Sequence, residues 1–111
     1  MLKKFLAIAA CVLAAGSVFA QAYPSKPVRV IVGFPPGGGT DVVARVLAQK
    51  LTEWWGQPVT VENRAGATGT IGADLVAKSA PDGYTLIMGH VNSHGIAPNL
   101  FKLPYDPIKD F

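Results

Sequence analysis

The sequence predicts an α/β protein with a mostly parallel sheet, and three observations carry this prediction. A continuous β-branched apolar run, Val28 to Phe34, is typical of a strand buried on both faces of a parallel sheet. Helical patterns alternate with this and two further strand patterns along the chain. A glycine-bearing polar loop follows each predicted strand. In such a sheet the three loops meet at the carboxyl ends of the strands, which is where ligands bind.

The first helix is predicted between the glycine turn Gly37–Gly39 and Gly56. Thr40 is the expected N-cap, and Asp41 is favourable in the first turn because the positive end of the helix dipole lies there. The apolar residues at helical spacing are expected to form the buried side: Val43, Val46, Leu47, Leu51 and Trp54.

A second strand is predicted at Val59–Glu62, followed by a glycine-rich loop and a second helix with Thr70 as its cap and Lys78 in its last turn. Pro81-Asp-Gly83 is a turn signature, and Tyr84 to Met88 reads as a third apolar strand that runs into the polar segment 89–95. The expected buried side of the second helix is Ile71, Ala73, Leu75, Val76 and Ala77.

Residues 1–22 have the three parts of a secretory signal peptide: a basic start, an apolar stretch and a small-residue cleavage site after Ala20 or Ala22. They fall short of the roughly 20 apolar residues that a membrane-spanning helix needs. An alternative is a lipoprotein cleavage box that ends at Cys11 and would anchor the protein to a membrane. We expect export to the periplasm, with the mature chain at 23–111.

The composition of the mature chain excludes several classes of function. Without Lys3 and Lys4, eight Lys and Arg face seven Asp and Glu, so there is no basic surface of the kind that binds nucleic acid. Cys11 is the only cysteine, and it leaves with the signal peptide. No disulfide framework or thiolate metal site is therefore expected.

The glycine turn before the first helix predicts an anion site, because bare amides and a helix N-terminus point the same way. A phosphate-binding P-loop is excluded, since no lysine follows Gly39. A dinucleotide fingerprint would need glycine or alanine at Val42, although Glu62 closes the second strand where a ribose contact would stand. Asp41 is interpreted as a structural or ligand-orienting carboxylate, since its charged form is favoured in a first helical turn.

The residues that a catalytic site or a metal site would need are only partly present in the sequence. A hydrolase would use the glycine turn as an oxyanion hole, but Ser93 has no glycine two residues upstream, and a neighbouring His94 does not by itself make it a nucleophile. His90 and His94 have a zinc-compatible spacing, yet Val91 stands where a zinc protease needs glutamate. Arg64 is either a carboxylate clamp or a surface residue. The residues favour a receptor for a small anion, and we expect this anion to be a carboxylate.

Several blocks of the chain carry a family likeness. The first is Tyr23-Pro-Ser-Lys-Pro, which continues to Gly33-Phe-Pro-Pro-Gly-Gly-Gly-Thr-Asp41; the others are residues 61–72, 80–86 and 103–107. Together they closely resemble the extracytoplasmic solute receptors of tripartite tricarboxylate transporters, the Bug family. The resemblance covers the whole mature chain, but such receptors are about three times longer, as two domains of ordinary size require.

The resemblance implies a type II periplasmic-binding-protein fold of which 23–111 is a partial first lobe, a carboxylate solute and membrane transporter subunits as partners. We also expect a monomer with no enzymatic activity, no cofactor and no metal. Half a cleft is expected to bind the solute weakly or not at all. The alternatives are an exported α/β hydrolase and a non-functional remnant. The implied ligand-binding residues are Gly37, Gly38, Gly39, Thr40, Asp41, Ala65, Gly66, Ala67, Thr68, Gly69, Asn92, Ser93 and His94.

Overall fold

The computed structural model describes Met1 and residues 22–111. Residues 2–21 of the predicted signal peptide, Cys11 among them, lie outside the described part. Strands and helices alternate along 22–111, which confirms the predicted α/β class. The elements are strand β1 (Val28–Val32), helix α1 (Gly39–Trp55), strand β2 (Val59–Asn63), a 3₁₀ turn (Ala67–Gly69), helix α2 (Thr70–Ala77), strand β3 (Thr85–Met88), a π-helical turn (Val91–Ile96) and helix α3 (Ala97–Leu100).

The three strands form a parallel sheet in the order β2-β1-β3. Val28 lies opposite Val59, and Arg29 lies opposite Thr85. The central position of β1 accounts for its burial, since Val28, Ile31 and Val32 are fully buried. The prediction of a central, buried first strand is confirmed, although the strand ends at Val32, two residues earlier than expected.

Helices α1 and α2 cover opposite faces of this sheet. Val28 and Val30 belong to the core cluster that contains Ala48 of α1. Gly33, which follows the strand on the alternate face, lies against Gly69 and Gly72 at the start of α2. Within residues 22–111 none of the helices combines the length and apolar character needed to cross a bilayer.

Helix α1 ends as predicted but is rotated from its predicted orientation. Gly56 adopts the left-handed conformation (φ 68°) and donates its N–H to Thr52 O at 3.0 Å, so the predicted stop is confirmed. Thr40 is not the N-cap, because the helix begins at Gly39 after Gly38. The residues buried on this helix are Asp41, Ala44 and Ala48.

The predicted apolar stripe of α1 is therefore mostly wrong. Val43, Val46, Leu47 and Trp54 are 48–78% exposed, while Leu51 packs against the core as expected. The small side chains of Ala44 and Ala48 allow the helix to approach the sheet closely. The rotation also buries Asp41 beside Asn63 at the end of β2, where the two side chains are hydrogen-bonded.

Helix α2 shows the same preference for small residues. Gly72 and Ala73 are buried, whereas Ile71 is exposed and the other predicted members of the buried side are half-buried. Thr70 is the first helical residue and not the cap, since its hydroxyl donates to Ala67 O at 2.7 Å. The prediction of Ala73 as core is confirmed, and that of Ile71 is wrong.

Candidate functional site

The three loops that follow the strands meet at one edge of the sheet. The Phe34 ring, just after β1, packs on the His90 ring after β3 with centroids 4.5 Å apart. A Cβ placed on Gly69, in the loop after β2, would lie 3.0 Å from the Phe34 ring and 3.5 Å from Ser93 Cβ. The predicted convergence of the loops is confirmed, and this edge is the candidate site.

The first loop is held by the carboxylate of Asp41, whose residue is only 3% exposed. Oδ2 accepts from Gly37 N at 2.9 Å and from Arg45 Nε at 3.0 Å. Oδ1 accepts from Asn63 Nδ2 at 2.9 Å, and the same amide group donates to Phe34 O at 3.0 Å. Asp41 therefore ties the glycine turn, α1 and β2 together.

These donors also fix the charge state of Asp41. The hydrogen bond from Arg45, then those from Gly37 N and Asn63, lower the pKa of the carboxyl from 3.8 to about 2. A group with so low a pKa is a poor general base near neutral pH. This agrees with the interpretation of Asp41 as a structural carboxylate that orients the loop.

The shifted pKa predicts an acid-labile component of stability. Because the folded pKa of Asp41 (about 2) lies below the ordinary 3.8, its stabilisation is complete above about pH 4 and is lost as the pH falls toward 2. Urea unfolding of wild-type and Asp41→Asn chains between pH 2 and pH 6 checks this. The difference between their midpoints should shrink on acidification; a constant difference would contradict the assignment.

The first turn of α1 leaves its amides available at this edge. Its first intrahelical bond runs from Val42 N to Gly38 O at 3.0 Å, and no side chain caps the helix. The N–H groups of Gly39 and Thr40 precede that bond, so they are without an intrahelical acceptor. With the dipole of a 17-residue helix behind them, they favour an anion.

The second loop has an unusual backbone that sequence reasoning did not find. Four consecutive residues have positive φ: Gly66 (135°), Ala67 (45°), Thr68 (56°) and Gly69 (89°). The left-handed region is costly for a β-branched residue such as Thr68, by about 1–3 kcal/mol. The hydroxyls of Thr68 and Thr70 both donate to Ala67 O at 2.7 Å, which helps to hold this conformation.

A close backbone contact joins this loop to the end of β1. A Cβ on Gly33 would lie 2.8 Å from both Cα and O of Gly69, and one on Gly72 would lie 3.0 Å from Gly33 Cα. Only glycine permits such proximity. Sequence reasoning missed the role of Gly33, although a glycine directly after a buried strand is a signal for close backbone approach.

The third loop is the π-helical turn, and its polar groups are largely satisfied within the loop. Ser93 is 3% exposed; its Oγ lies 2.8 Å from His94 Nδ1 and donates to His90 O at 3.2 Å. Asn92 N donates to His90 Nδ1 at 3.1 Å. Burial lowers the pKa of His94. The nearly inaccessible Ser93 is poorly placed to attack a substrate, which disfavours the hydrolase alternative.

Two further sequence alternatives concern charged or metal-binding side chains. Glu62 forms salt bridges with Arg29 and Arg64, so the guanidinium that was a candidate clamp is paired with a protein carboxylate. The hydrogen bond from Arg29 is the main cause of the lowered pKa of Glu62. Within residues 22–111 no group of three His, Cys, Asp or Glu side chains is arranged to hold a metal ion.

A cavity of about 320 Å³ adjoins the second loop and was not predicted. Its walls come from the second loop with the first residue of α2 and from the segment after α3, two regions far apart in sequence. The residues that line it are Ala67, Thr68, Thr70, Phe101, Lys102, Leu103 and Pro104.

Comparison with known proteins identifies the family. Residues 43–111 match the family described as the tripartite tricarboxylate transporter family receptor. The chain belongs to this receptor family. BugT of Bordetella pertussis Tohama I, a related protein, is 54% identical over 95 residues, which cover 86% of this chain and 29% of BugT. The resemblance noted in the sequence is thereby confirmed.

Solved structures of receptor-family relatives share the fold. A periplasmic transporter superposes with a TM-score of 0.76 at 51% identity, covering 79% of this chain and 30% of its own. MatC from Rhodopseudomonas palustris, solved with bound malate, superposes with a TM-score of 0.76 at 50% identity, covering 80% and 31%. Another R. palustris protein, solved with adipate, has a TM-score of 0.58 at 45% identity, covering 59% and 22%.

These matches define what part of a receptor the chain represents. It spans about a third of the length of the curated relatives that it matches. BugD, another of the solved relatives, is a periplasmic binding protein. The predictions of an α/β receptor fold with a parallel sheet and of a receptor family that is not a family of enzymes are therefore confirmed.

Proposed function

We propose that residues 23–111 form a carboxylate-binding lobe of a periplasmic solute receptor that serves a tripartite tricarboxylate-type transporter. The observation that carries this proposal is the uncapped first turn of α1, braced by the buried Asp41 at the edge where three loops meet. Malate and adipate in two relatives support a carboxylate as the solute class. The proposal includes removal of residues 1–22 on export and action as a monomer.

In this proposal one solute carboxylate accepts hydrogen bonds from the backbone N–H groups of Gly39 and Thr40, which have no intrahelical acceptor. Asp41 does not itself meet the solute, because both of its oxygens accept hydrogen bonds from the protein. Arg45 offsets its negative charge at 3.0 Å, so the field of the helix N-terminus still favours an anion. Residues 65–69 and 92–94 supply the neighbouring walls, with Asn92 and His94 more accessible than Ser93.

Binding by this chain is expected to be weak, since one wall of a cleft leaves most of a small solute in water. We expect malate to bind with a dissociation constant of about 1 mM or weaker. The experiment is a titration of residues 23–111 with malate and adipate, followed by NMR. The backbone amide resonances of residues in the three loops should shift during the titration. Micromolar affinity would contradict the half-cleft interpretation, and shifts confined to other regions would contradict the site.

A matched pair of substitutions isolates the amide contribution. Gly39→Pro removes the N–H of the first helical residue, where proline is well tolerated, and Gly38 before it already has the extended conformation (φ −78°, ψ 168°) that proline requires. Gly39→Ala keeps the N–H, and a Cβ there meets no atom within 4 Å. Gly39→Pro should weaken malate binding about tenfold, whereas Gly39→Ala should not. Equal affinities in the pair would refute amide recognition.

A further inference from the structure

The segment after α3 folds back onto the third loop through Tyr105. The Tyr105 side chain is buried, with the residue 6% exposed, and its hydroxyl donates to Ser93 O at 2.7 Å. Its ring packs edge-on against Phe111, with centroids 5.7 Å apart, and lies 6.3 Å from the His94 ring. The Phe111 ring also packs against the His94 ring, with centroids 4.8 Å apart. The two aromatic residues thus hold the His94 ring and the backbone of Ser93 together.

The short stretch between these aromatics is itself closed by hydrogen bonds. The Asp106 carboxylate accepts from Ile108 N and Lys109 N, both at 2.9 Å, and Asp106 N donates to Asp110 Oδ2 at 2.7 Å. The backbone N–H of Asp110 donates to Asp106 O at 3.2 Å. This turn fixes the separation of Tyr105 and Phe111, so the segment acts as a structured support for the loop.

The anchored carbonyl belongs to the residue that links the third loop to the other two. Ser93 lies beside Gly69 of the second loop, and its hydroxyl bonds to His90 O. The His90 ring stacks on Phe34 at the start of the first loop. Ser93 is therefore part of a chain of direct contacts that reaches all three loops.

We propose that Tyr105 is a positioning residue for the carboxylate site, which fixes residues 92–94 by holding Ser93 O. The inference rests on the proposed function, because it assigns a role to Tyr105 within that site. Tyr105 does not line the edge itself. It acts through Ser93 and through the His94 ring, and its hydroxyl is the group that matters.

The test compares Tyr105→Phe with Tyr23→Phe in the chain 23–111. Tyr23 provides a matched control because its hydroxyl also donates to a backbone carbonyl, that of Gly83 at 2.5 Å, but away from the three loops. Tyr105→Phe should shift the amide resonances of Asn92 to His94 and the His94 ring resonances, and weaken malate binding about three- to tenfold. Tyr23→Phe should leave both unchanged, even if it lowers the melting temperature.

The outcomes separate the two proposals. Unmoved resonances at 92–94 in Tyr105→Phe would overturn the positioning role, whatever the change in stability. Moved resonances without any malate response in the wild-type chain would support the Tyr105 link and refute the carboxylate site. If Tyr105→Phe does not fold, 3-fluorotyrosine labelling keeps the hydroxyl as a stronger donor. The Ser93 carbonyl carbon must then shift, and an unchanged resonance would overturn the proposal.

Discussion

Gly33→Ala is expected to lower the melting temperature by about 10 °C or more. The new Cβ would lie 2.8 Å from Cα and O of Gly69, and these are backbone atoms that cannot move aside like the end of a flexible side chain. Forcing the two segments apart should cost about 3 kcal/mol. That is a large share of the stability of a small domain. It should also displace the second loop from the first.

Gly39→Ala is the control for this prediction, since a Cβ at Gly39 has open space around it. Alanine in the first helical turn should be neutral or slightly stabilising. Thermal unfolding followed by circular dichroism measures both variants. A Gly33→Ala chain that melts together with Gly39→Ala would show that the backbone contact between Gly33 and Gly69 is not tight in solution.

The sequence predicted the order of the elements because local signals determine them. Each of these signals depends on a few neighbouring residues. Examples are the β-branched run that forms β1, the left-handed residue Gly56 that ends α1, and the turn around Gly83. The rotation of α1 was not predictable in the same way. The large apolar residues of α1 predicted that one face of the helix would be buried. The face that contains Ala44 and Ala48 is buried instead, because these small side chains fit closely against the sheet.

The candidate site was predictable as a set of loops and not as a set of contacts. Glycine content indicated loops at residues 37–39 and 63–70, each after a predicted strand, whereas the narrower range 65–69 came from the family resemblance. The positive φ of Ala67 and Thr68 carries no signature in residue type, since these residues ordinarily avoid that region. The hydrogen bond from Tyr105 to Ser93 O depends on chain segments that meet only after folding.

Asp41→Ala is expected to destabilise the chain at least as strongly as Gly33→Ala, with a fall in melting temperature of about 10 °C or more near neutral pH. It removes the acceptor of three donors at once: Gly37 N, Arg45 Nε and Asn63 Nδ2. The Gly37 turn should then lose its fixed geometry, because its amide is left without an acceptor. The amides of residues 37–40 should exchange with solvent faster as a result.

Glu53→Gln is the matched control for Asp41→Ala on the same helix. Glu53 pairs with Lys50 at 2.9 Å, but both side chains are at least half exposed, and such pairs contribute little to stability. Its melting temperature should stay within about 2 °C of wild type. A similar small change in Asp41→Ala would mean that the glycine turn keeps its shape without the carboxylate. In that case the helix alone would hold the free N–H groups of Gly39 and Thr40 in place. Malate affinity should then be equal in the wild-type and Asp41→Ala chains.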